Sequence, residues 1–209
     1  STGQGGIFVT MAVQNTGDTV AGISKAGLKL NTGEYTVTGI SSPVTISAGG
    51  SETYVFSVAV FGGAASGLVT LDGTITGTDY NGGGTITDYD AASTDQWTVQ
   101  KKAVLSITQV IAGNSAVTRG SAGKLVTMIV TNQGEAMAGI GMSSVGLIFT
   151  SSGGTATGDY TVQNITYPLS ISGYGSGTYV FSIGVSGGAT LGLITIDGSI
   201  KGSDINSGY

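Results

Sequence analysis

Residues 10–23 read TMAVQNTGDTVAGI, and residues 127–140 read TMIVTNQGEAMAGI, 117 positions later (127 − 10). Three further segments recur at a spacing of 125 positions (158 − 33): GEYTV as GDYTV, TYVFS unchanged, and LDG as IDG. Segments that recur over this distance indicate a duplicated domain rather than a solenoid of short units. The sequence therefore predicts two domains, at residues 1–100 and 101–209, each long enough to bury its own core.

Both copies have the pattern of β-strands separated by turns. Apolar and polar residues alternate along residues 8–14 and 125–130, and each segment ends at a turn-forming group of Asn, Gly and an acidic residue. No window of ten or more residues has the 3.6-residue periodicity of a helix. Pro43 and Pro168 occupy equivalent positions, and each is expected to open an edge strand or a turn.

The second copy predicts most of the strands of one domain. We expect them at 104–110, 124–131, 138–149, 160–166, 177–185 and 193–203. The third is expected to bend at its glycines, and a seventh strand, at 96–99, is visible only in the first copy. Short strands with this turn spacing are typical of an immunoglobulin-like sandwich. The predicted fold class is all-β, with two tandem immunoglobulin-like β-sandwiches of about seven antiparallel strands each.

Aligning the two copies leaves one outer strand of each without a counterpart. Nothing in the first copy corresponds to 104–110, and nothing in the second corresponds to 85–100, because Tyr209 aligns with Gly84. A sandwich without an outer strand exposes an apolar groove and an unpaired edge. We expect either that flanking repeats of a longer polypeptide supply these strands, or that subunits exchange strands by β-augmentation.

The composition argues against several functional classes. Only 9% of residues are charged, the net charge is −5 and Lys101-Lys102 is the only adjacent basic pair, so no basic surface for nucleic acid is expected. No apolar run approaches the roughly 18 residues of a membrane span. Because the sequence has no His and no Cys, it offers no Ser-His-Asp or Cys-His nucleophile and no thiolate metal site. We expect no enzyme activity, and the Gly- and Thr-rich, weakly charged composition predicts an extracellular, cell-surface protein.

Acidic residues and asparagines cluster near the end of each copy, where oxygen ligands on tight loops would suit Ca²⁺. The candidate ligands are Asp72, Asp79, Asn81, Asp88 and Asp90 in the first copy, and Asp197, Asp204 and Asn206 in the second. The spacing of a 12-residue calcium loop is absent, and the same residue types form Asx turns at Gly-rich hairpins. Calcium is therefore the one candidate cofactor, and none is required.

Three single residues bear on sugar binding, N-glycosylation and an internal crosslink. Trp97, the only tryptophan, alternates with Val99, which favours a core position over an exposed sugar-binding platform. Asn164 begins the one N-glycosylation sequon, Asn-Ile-Thr. Lys29 is expected to point outward between two leucines, which disfavours an internal Lys–Asn crosslink.

The sequence pattern resembles the CARDB-like family. The resemblance rests on an A-V-L-S-I strand at 103–107, a V-T-M-x-V-x-N-x-G-x-A-x-A segment at 126–138, and a Gly-rich turn before TYVFS. Its most specific part is the V-x-N-x-G turn, formed by Val13, Asn15 and Gly17 and again by Val130, Asn132 and Gly134. The resemblance implies immunoglobulin-like repeats of bacterial and archaeal cell-surface or secreted proteins, with a structural or adhesive role and no catalytic residues.

Together these observations predict a structural building block of an extracellular filament, stalk or surface layer. Its expected partners are copies of itself or flanking repeats of the same polypeptide. The alternative is an adhesin-type binding module that recognises sugar or protein through loops such as residues 151–158.

Overall fold

The computed structural model describes residues 1–208 and divides the chain into two compact units, Ser1–Lys101 and Lys102–Tyr209. Every regular element of the described part is a β-strand, apart from one 3-10 turn at Thr157–Asp159. The predicted all-β class is confirmed. Between residues 1 and 208 there is no helix with the length and hydropathy to cross a membrane.

Within residues 1–101, the strands form two antiparallel sheets. The strands are β1 (Ile7–Gln14), β2 (Ala21–Leu30), β3 (Tyr35–Ser41), β4 (Thr45–Ile46), β5 (Ser51–Val60), β6 (Gly67–Asp79), β7 (Thr85–Asp88) and β8 (Asp95–Val99). One sheet has the order β1-β5-β3. The other has the order β4-β2-β6-β7, with β8 also paired to β6.

Residues 102–208 form two sheets of the same kind. The strands are β9 (Leu105–Ala112), β10 (Lys124–Asn132), β11 (Ala138–Ser151), β12 (Gly154–Thr155), β13 (Tyr160–Thr166), β14 (Ser170–Ile171), β15 (Ser176–Val185) and β16 (Thr195–Asp204). One sheet has the order β13-β15-β10-β9. The other has the order β12-β11-β14, with β16 also paired to β11.

The core of the second unit lies between its two sheets. Alternate residues of β10 and β15 point inward, and Met128, Tyr179 and Phe181 are at most 1% exposed. They pack against Leu147 and Phe149 of β11 in the facing sheet. Full burial of one such side chain contributes roughly 1.5–3 kcal/mol, so the period-two pattern of the sequence is what pairs the sheets.

Glycines in one sheet make room for methionines of the facing sheet. A Cβ at Gly73 of β6 would lie 2.6 Å from the sulfur of Met11, and one at Gly198 of β16 would lie 2.5 Å from the sulfur of Met128. Met128 is fully buried, whereas Met11 is half-buried. The glycine–methionine contact thus occurs in both units, but the methionine is fully buried in the second unit and half-buried in the first.

The strand boundaries agree closely with the predicted ones. The predicted strand at 160–166 matches β13, and the predicted bend at 138–149 matches a shift of pairing register in β11 between Ile140 and Val145. The strand predicted at 193–203 begins later, at Thr195. Each proline precedes a two-residue edge strand, β4 or β14, as expected. The sequence did not predict β7 or β12.

Candidate functional site

The asparagine of the V-x-N-x-G turn joins segments that are distant in sequence. Asn132 is 1% exposed, and its Nδ2 donates to the carbonyl oxygens of Ala136 (2.7 Å), Ile171 (3.2 Å) and Ser172 (3.2 Å). Its Oδ1 accepts the backbone N–H of Gly134 at 3.0 Å. One side chain therefore closes the turn and ties it to β14.

Asn15 repeats this arrangement in the first unit. Its Nδ2 donates to the carbonyl oxygens of Thr19, Ile46 and Ser47, and its Oδ1 accepts the N–H of Gly17 at 3.0 Å. In the second unit, the equivalent oxygen also accepts the N–H of Val104, just before β9, at 3.1 Å. The most specific residues of the motif are thus engaged in structural hydrogen bonds.

A buried tyrosine in each unit bonds back along the chain. The hydroxyl of Tyr54 donates to the carbonyl oxygen of Pro43 at 2.9 Å, and that of Tyr179 donates to Pro168 at 3.1 Å. Burial raises the pKa of Tyr179 to about 12, since the charged phenolate is disfavoured away from water. These tyrosines hold the segments that lead into β4 and β14.

The two units differ in what covers the strand before the V-x-N-x-G turn. In the second unit β10 lies between β15 and β9, whereas in residues 1–208 the equivalent strand β1 pairs with β5 alone. The inward residues of β10 are at most 3% exposed, and those of β1 are half-buried; the pairs are Val126 and Val9, Met128 and Met11, and Val130 and Val13. A cavity of about 680 Å³ borders β1 and extends to Trp97.

In the first unit, β8 covers the start of β6. Val69 pairs with Trp97 and Gly67 with Val99, in antiparallel register. Val99 is 2% exposed and packs with Val60 and Val69.

In the second unit, residues 192–196 have no partner strand, within the described residues, on the side that β8 occupies in the first unit; Thr195 and Ile196 pair on their other side with β11. Leu193 is 89% exposed, and Ile194 is half-buried where its counterpart Val69 is 3% exposed. A cavity of about 510 Å³ lies here, and Val185 and Ala189 are among its lining residues. We call this cavity and its edge the 192–196 groove.

The acidic candidates of the first unit fall into separate groups. Asp72 and Asp90 lie around Lys29, whose Nζ is 3.7 Å from Asp72 Oδ2 and 3.0 Å from Asp90 Oδ1. The backbone N–H of Ala91 is the main cause that lowers the pKa of Asp72. Asp88 Oδ1 accepts the N–H of Asp90 at 3.2 Å.

Asp79 lies at the far end of β6 from Asp72. Its Oδ1 accepts the N–H groups of Asn81 (2.8 Å) and Gly82 (3.3 Å), and the first of these bonds is the main cause that lowers its pKa. This is the hydrogen bonding of an Asx turn, and the side chain of Asn81 is exposed.

The acidic candidates of the second unit are also bound to backbone N–H groups. Asp204 is 1% exposed; its Oδ1 accepts from Asn206 and Ser207 at 2.9 Å each, and its Oδ2 accepts from Ala103 at 2.9 Å. Asp197 is exposed, and its Oδ1 accepts the N–H of Gly198. Among residues 1–208, no three or more His, Cys, Asp or Glu side chains gather in a way that could hold a metal ion. Asp79, Asp88 and Asp204 thus accept hydrogen bonds within turns, whereas Asp72 and Asp90 pair with Lys29.

The remaining candidates lie on strands. Trp97 is half-buried, and its ring centre is 6.1 Å from that of Tyr35. Asn164 and Thr166 are exposed on β13, an edge strand, so the sequon is open to solvent. The 151–158 loop folds back through β12, and Ala156 is 6% exposed.

No protein-family model matches the chain, and no curated protein matches its sequence. Among solved structures, the secreted serine protease VesC from Vibrio cholerae is similar over 93% of this chain and 48% of that chain, with a TM-score of 0.33 and 13% identity. The chain thus spans about half the length of that structure. A similarity this weak assigns neither fold nor activity.

Proposed function

We propose that this protein is a structural building block of an extracellular filament, stalk or surface layer. It consists of tandem immunoglobulin-like β-sandwiches that are completed by strands of neighbouring repeats or of neighbouring copies. One observation carries the proposal: each unit leaves uncovered a position that a strand covers in the other unit. Within residues 1–208, the first unit has β8 but no strand beside the outer edge of β1, while the second has β9 but no strand on the side of residues 192–196 that β8 occupies in the first unit.

The immunoglobulin-like assignment is supported by the arrangement of the strands. Each unit has two antiparallel sheets, and in the second unit one hydrophobic cluster includes residues of both. The hydroxyl of Tyr179 bonds back to the chain upstream, as a tyrosine does in many sandwiches of this class.

The uncovered positions favour association. The edge of β1 presents unpaired backbone groups and a row of half-buried apolar side chains, which promotes pairing with another strand. Covering apolar surface stabilises by roughly 25 cal/mol per Å², and a new ladder adds directional hydrogen bonds. Repeated along a polymer, such contacts give stiffness without any cofactor or catalytic group.

The extracellular, non-enzymatic part of the proposal rests on composition and on the site. The sequence has no Cys and no His, and only 9% of its residues are charged. The clustered acidic residues accept hydrogen bonds from backbone N–H groups or pair with Lys29.

Imaging of the native particle, at a resolution that traces neighbouring chains, tests the proposal. We expect a strand from a neighbouring repeat or copy beside β1 and another beside residues 192–196. The protomer mass would then distinguish a long repetitive polypeptide from exchange between separate subunits. A monomeric particle with both positions solvent-filled would contradict the proposal, and a ligand seated on the 151–158 loop would favour the adhesin alternative.

A further inference from the structure

We propose that the 192–196 groove binds an extended segment with the alternating pattern of β8, in which a Trp and a Val point inward and polar residues point outward. This deepens the proposed function, on which it rests, by naming the chemistry of the strand that completes the second unit. The first unit indicates the occupant, because its equivalent groove is filled by β8.

The backbone register follows from the first unit. There β8 runs antiparallel to the start of β6, with Gly67 opposite Val99, Val69 opposite Trp97 and Leu71 opposite Asp95. At the repeat spacing of 125, the accepting residues are Gly192, Ile194 and Ile196. The incoming Val, Trp and acidic positions would lie opposite these three residues.

The side-chain pocket is also conserved between the units. The cluster around Trp97 and Val99 is formed by Val60, Ala64, Val69, Ile7, Leu30 and Tyr35. The equivalent positions follow from the repeat spacings and, for Leu30 and Phe149, from their pairing with Leu71 and Ile196. They are Val185, Ala189, Ile194, Lys124, Phe149 and Tyr160, and all of these line the 192–196 groove. Five of the six remain apolar or aromatic, so the inward side chains of a β8-like segment meet a matching surface.

The turn that leads into the 192–196 groove already has the conformation that it has in the first unit. Gly67 has φ 142° and Gly192 has φ 121°, so both units begin the edge with the same glycine-favoured backbone. The turn before this glycine is also the same in both units, because the N–H of Ala64 donates to the carbonyl oxygen of Phe61 and the N–H of Ala189 donates to that of Ser186.

The two units differ in where the strand along this edge begins, and the difference is the one expected when a partner strand is absent. Strand β6 starts at Gly67, but β16 starts at Thr195, three residues after Gly192, the counterpart of Gly67 (195 − 192). Residues 192–194 thus have no strand ladder, and pairing with an incoming strand would extend β16 over them.

Two differences define the preferred occupant further. The half-buried Tyr160 stacks on the buried Phe149 with ring centres 4.2 Å apart, which leaves Tyr160 as the aromatic surface that an incoming Trp would meet. Arg119 and Lys124 are the charged residues that line the groove, so an acidic residue in the segment is favoured. Residues 93–100, STDQWTVQ, satisfy both conditions and stop before the two lysines that follow.

A peptide of residues 93–100 with blocked ends, titrated into the full chain, tests the proposal. Backbone NMR and calorimetry measure where and how tightly it binds. We expect saturable binding, amide shifts at residues 185–196 and new exchange protection at 192–194. The control peptide exchanges Trp97 and Thr98, which keeps composition and charge but turns the Trp to the solvent face. Its affinity should be at least about tenfold lower, since one large apolar side chain is no longer buried.

Two protein variants locate the site. Ile194→Asp puts a charge in the groove and should abolish binding, whereas Leu193→Asp changes an outward side chain and should leave it intact. Circular dichroism checks that both variants fold. Equal binding of the two peptides, shifts confined to residues 67–71, or equal loss in both variants would overturn the proposal. If Ile194→Asp does not fold, the peptide pair still decides.

This experiment is independent of the imaging test. An absence of peptide binding would overturn the β8-like occupant while leaving the filament to be judged by imaging. Binding without any polymer in the native particle would retain the groove and refute the filament.

Discussion

Replacing Asn132 with alanine removes a buried side chain whose two amide protons and one oxygen make five hydrogen-bond contacts. It donates to three carbonyl oxygens and accepts from the N–H groups of Gly134 and Val104. A typical net bond contributes about 1 kcal/mol, and a buried group left without a partner costs about 1–3 kcal/mol. Allowing for relaxation and water entry, the second unit should lose about 3–5 kcal/mol of unfolding free energy.

Asn15→Ala is the matched control for this substitution. Asn15 is half-buried and makes four of the equivalent bonds in the described structure, without a counterpart of the Val104 contact. Water can replace part of what is lost there, so the first unit should lose only about 1–2 kcal/mol.

Urea unfolding with two probes separates the effects. Trp97 lies in the first unit, so its fluorescence follows the Asn15→Ala variant. Hydrogen–deuterium exchange of β10 amides follows Asn132→Ala. A loss below about 1 kcal/mol for Asn132→Ala, or one no larger than that of Asn15→Ala, would refute the view that this asparagine anchors the turn.

Three further predictions follow from other contacts. Tyr179→Phe should cost about 1 kcal/mol at neutral pH, because the bond to Pro168 is lost. Since burial raises the pKa of Tyr179 to about 12, its contribution is complete below pH 10 and disappears as the pH rises towards 12; urea midpoints should therefore fall less steeply in that range in the phenylalanine variant. Gly134→Ala should cost about 2–3 kcal/mol by thermal unfolding, because its Cβ would collide with the Lys102 carbonyl oxygen. Gly17→Ala is its control: the nearest atom to its Cβ is Asn15 Oδ1 at 3.3 Å, so a comparable loss there would argue against the collision. Millimolar Ca²⁺ should leave the melting temperature unchanged relative to EDTA, whereas a rise of several degrees would support the calcium hypothesis.

The strands were predictable where their burial pattern is local. In β15 alternate residues are buried along the whole strand, and this period of two is visible in the sequence. Strand β7 was missed because its four residues are mostly exposed and gain their structure from pairing with β6. The two-residue strands β12 and β14 likewise depend on partners in β11.

The site was predictable in position but not in detail. The V-x-N-x-G spacing identified Asn132 as a turn residue, yet its bonds to Ile171 and Ser172 join positions 39 and 40 residues apart. The acidic clusters were equally visible, and an Asx turn at Asp79 was among the expectations, whereas the bond from the Ala103 N–H to Asp204 joins positions that are distant in sequence. Comparison of the two copies was enough to locate the uncovered edges. The residues that line them could not be predicted in the same way, because they come from strands of both sheets.

The glycine-facing methionines have a practical consequence. Hydrogen peroxide converts an accessible thioether to a sulfoxide and spares a sealed one. Met128 is fully buried on β10, which has β9 as its neighbour in the same sheet, and Met11 occupies the same place on β1, which has no such neighbour in the described structure. The ratio of sulfoxide at Met11 to that at Met128, measured by mass spectrometry, therefore reports whether a neighbouring strand lies beside β1 in the native material.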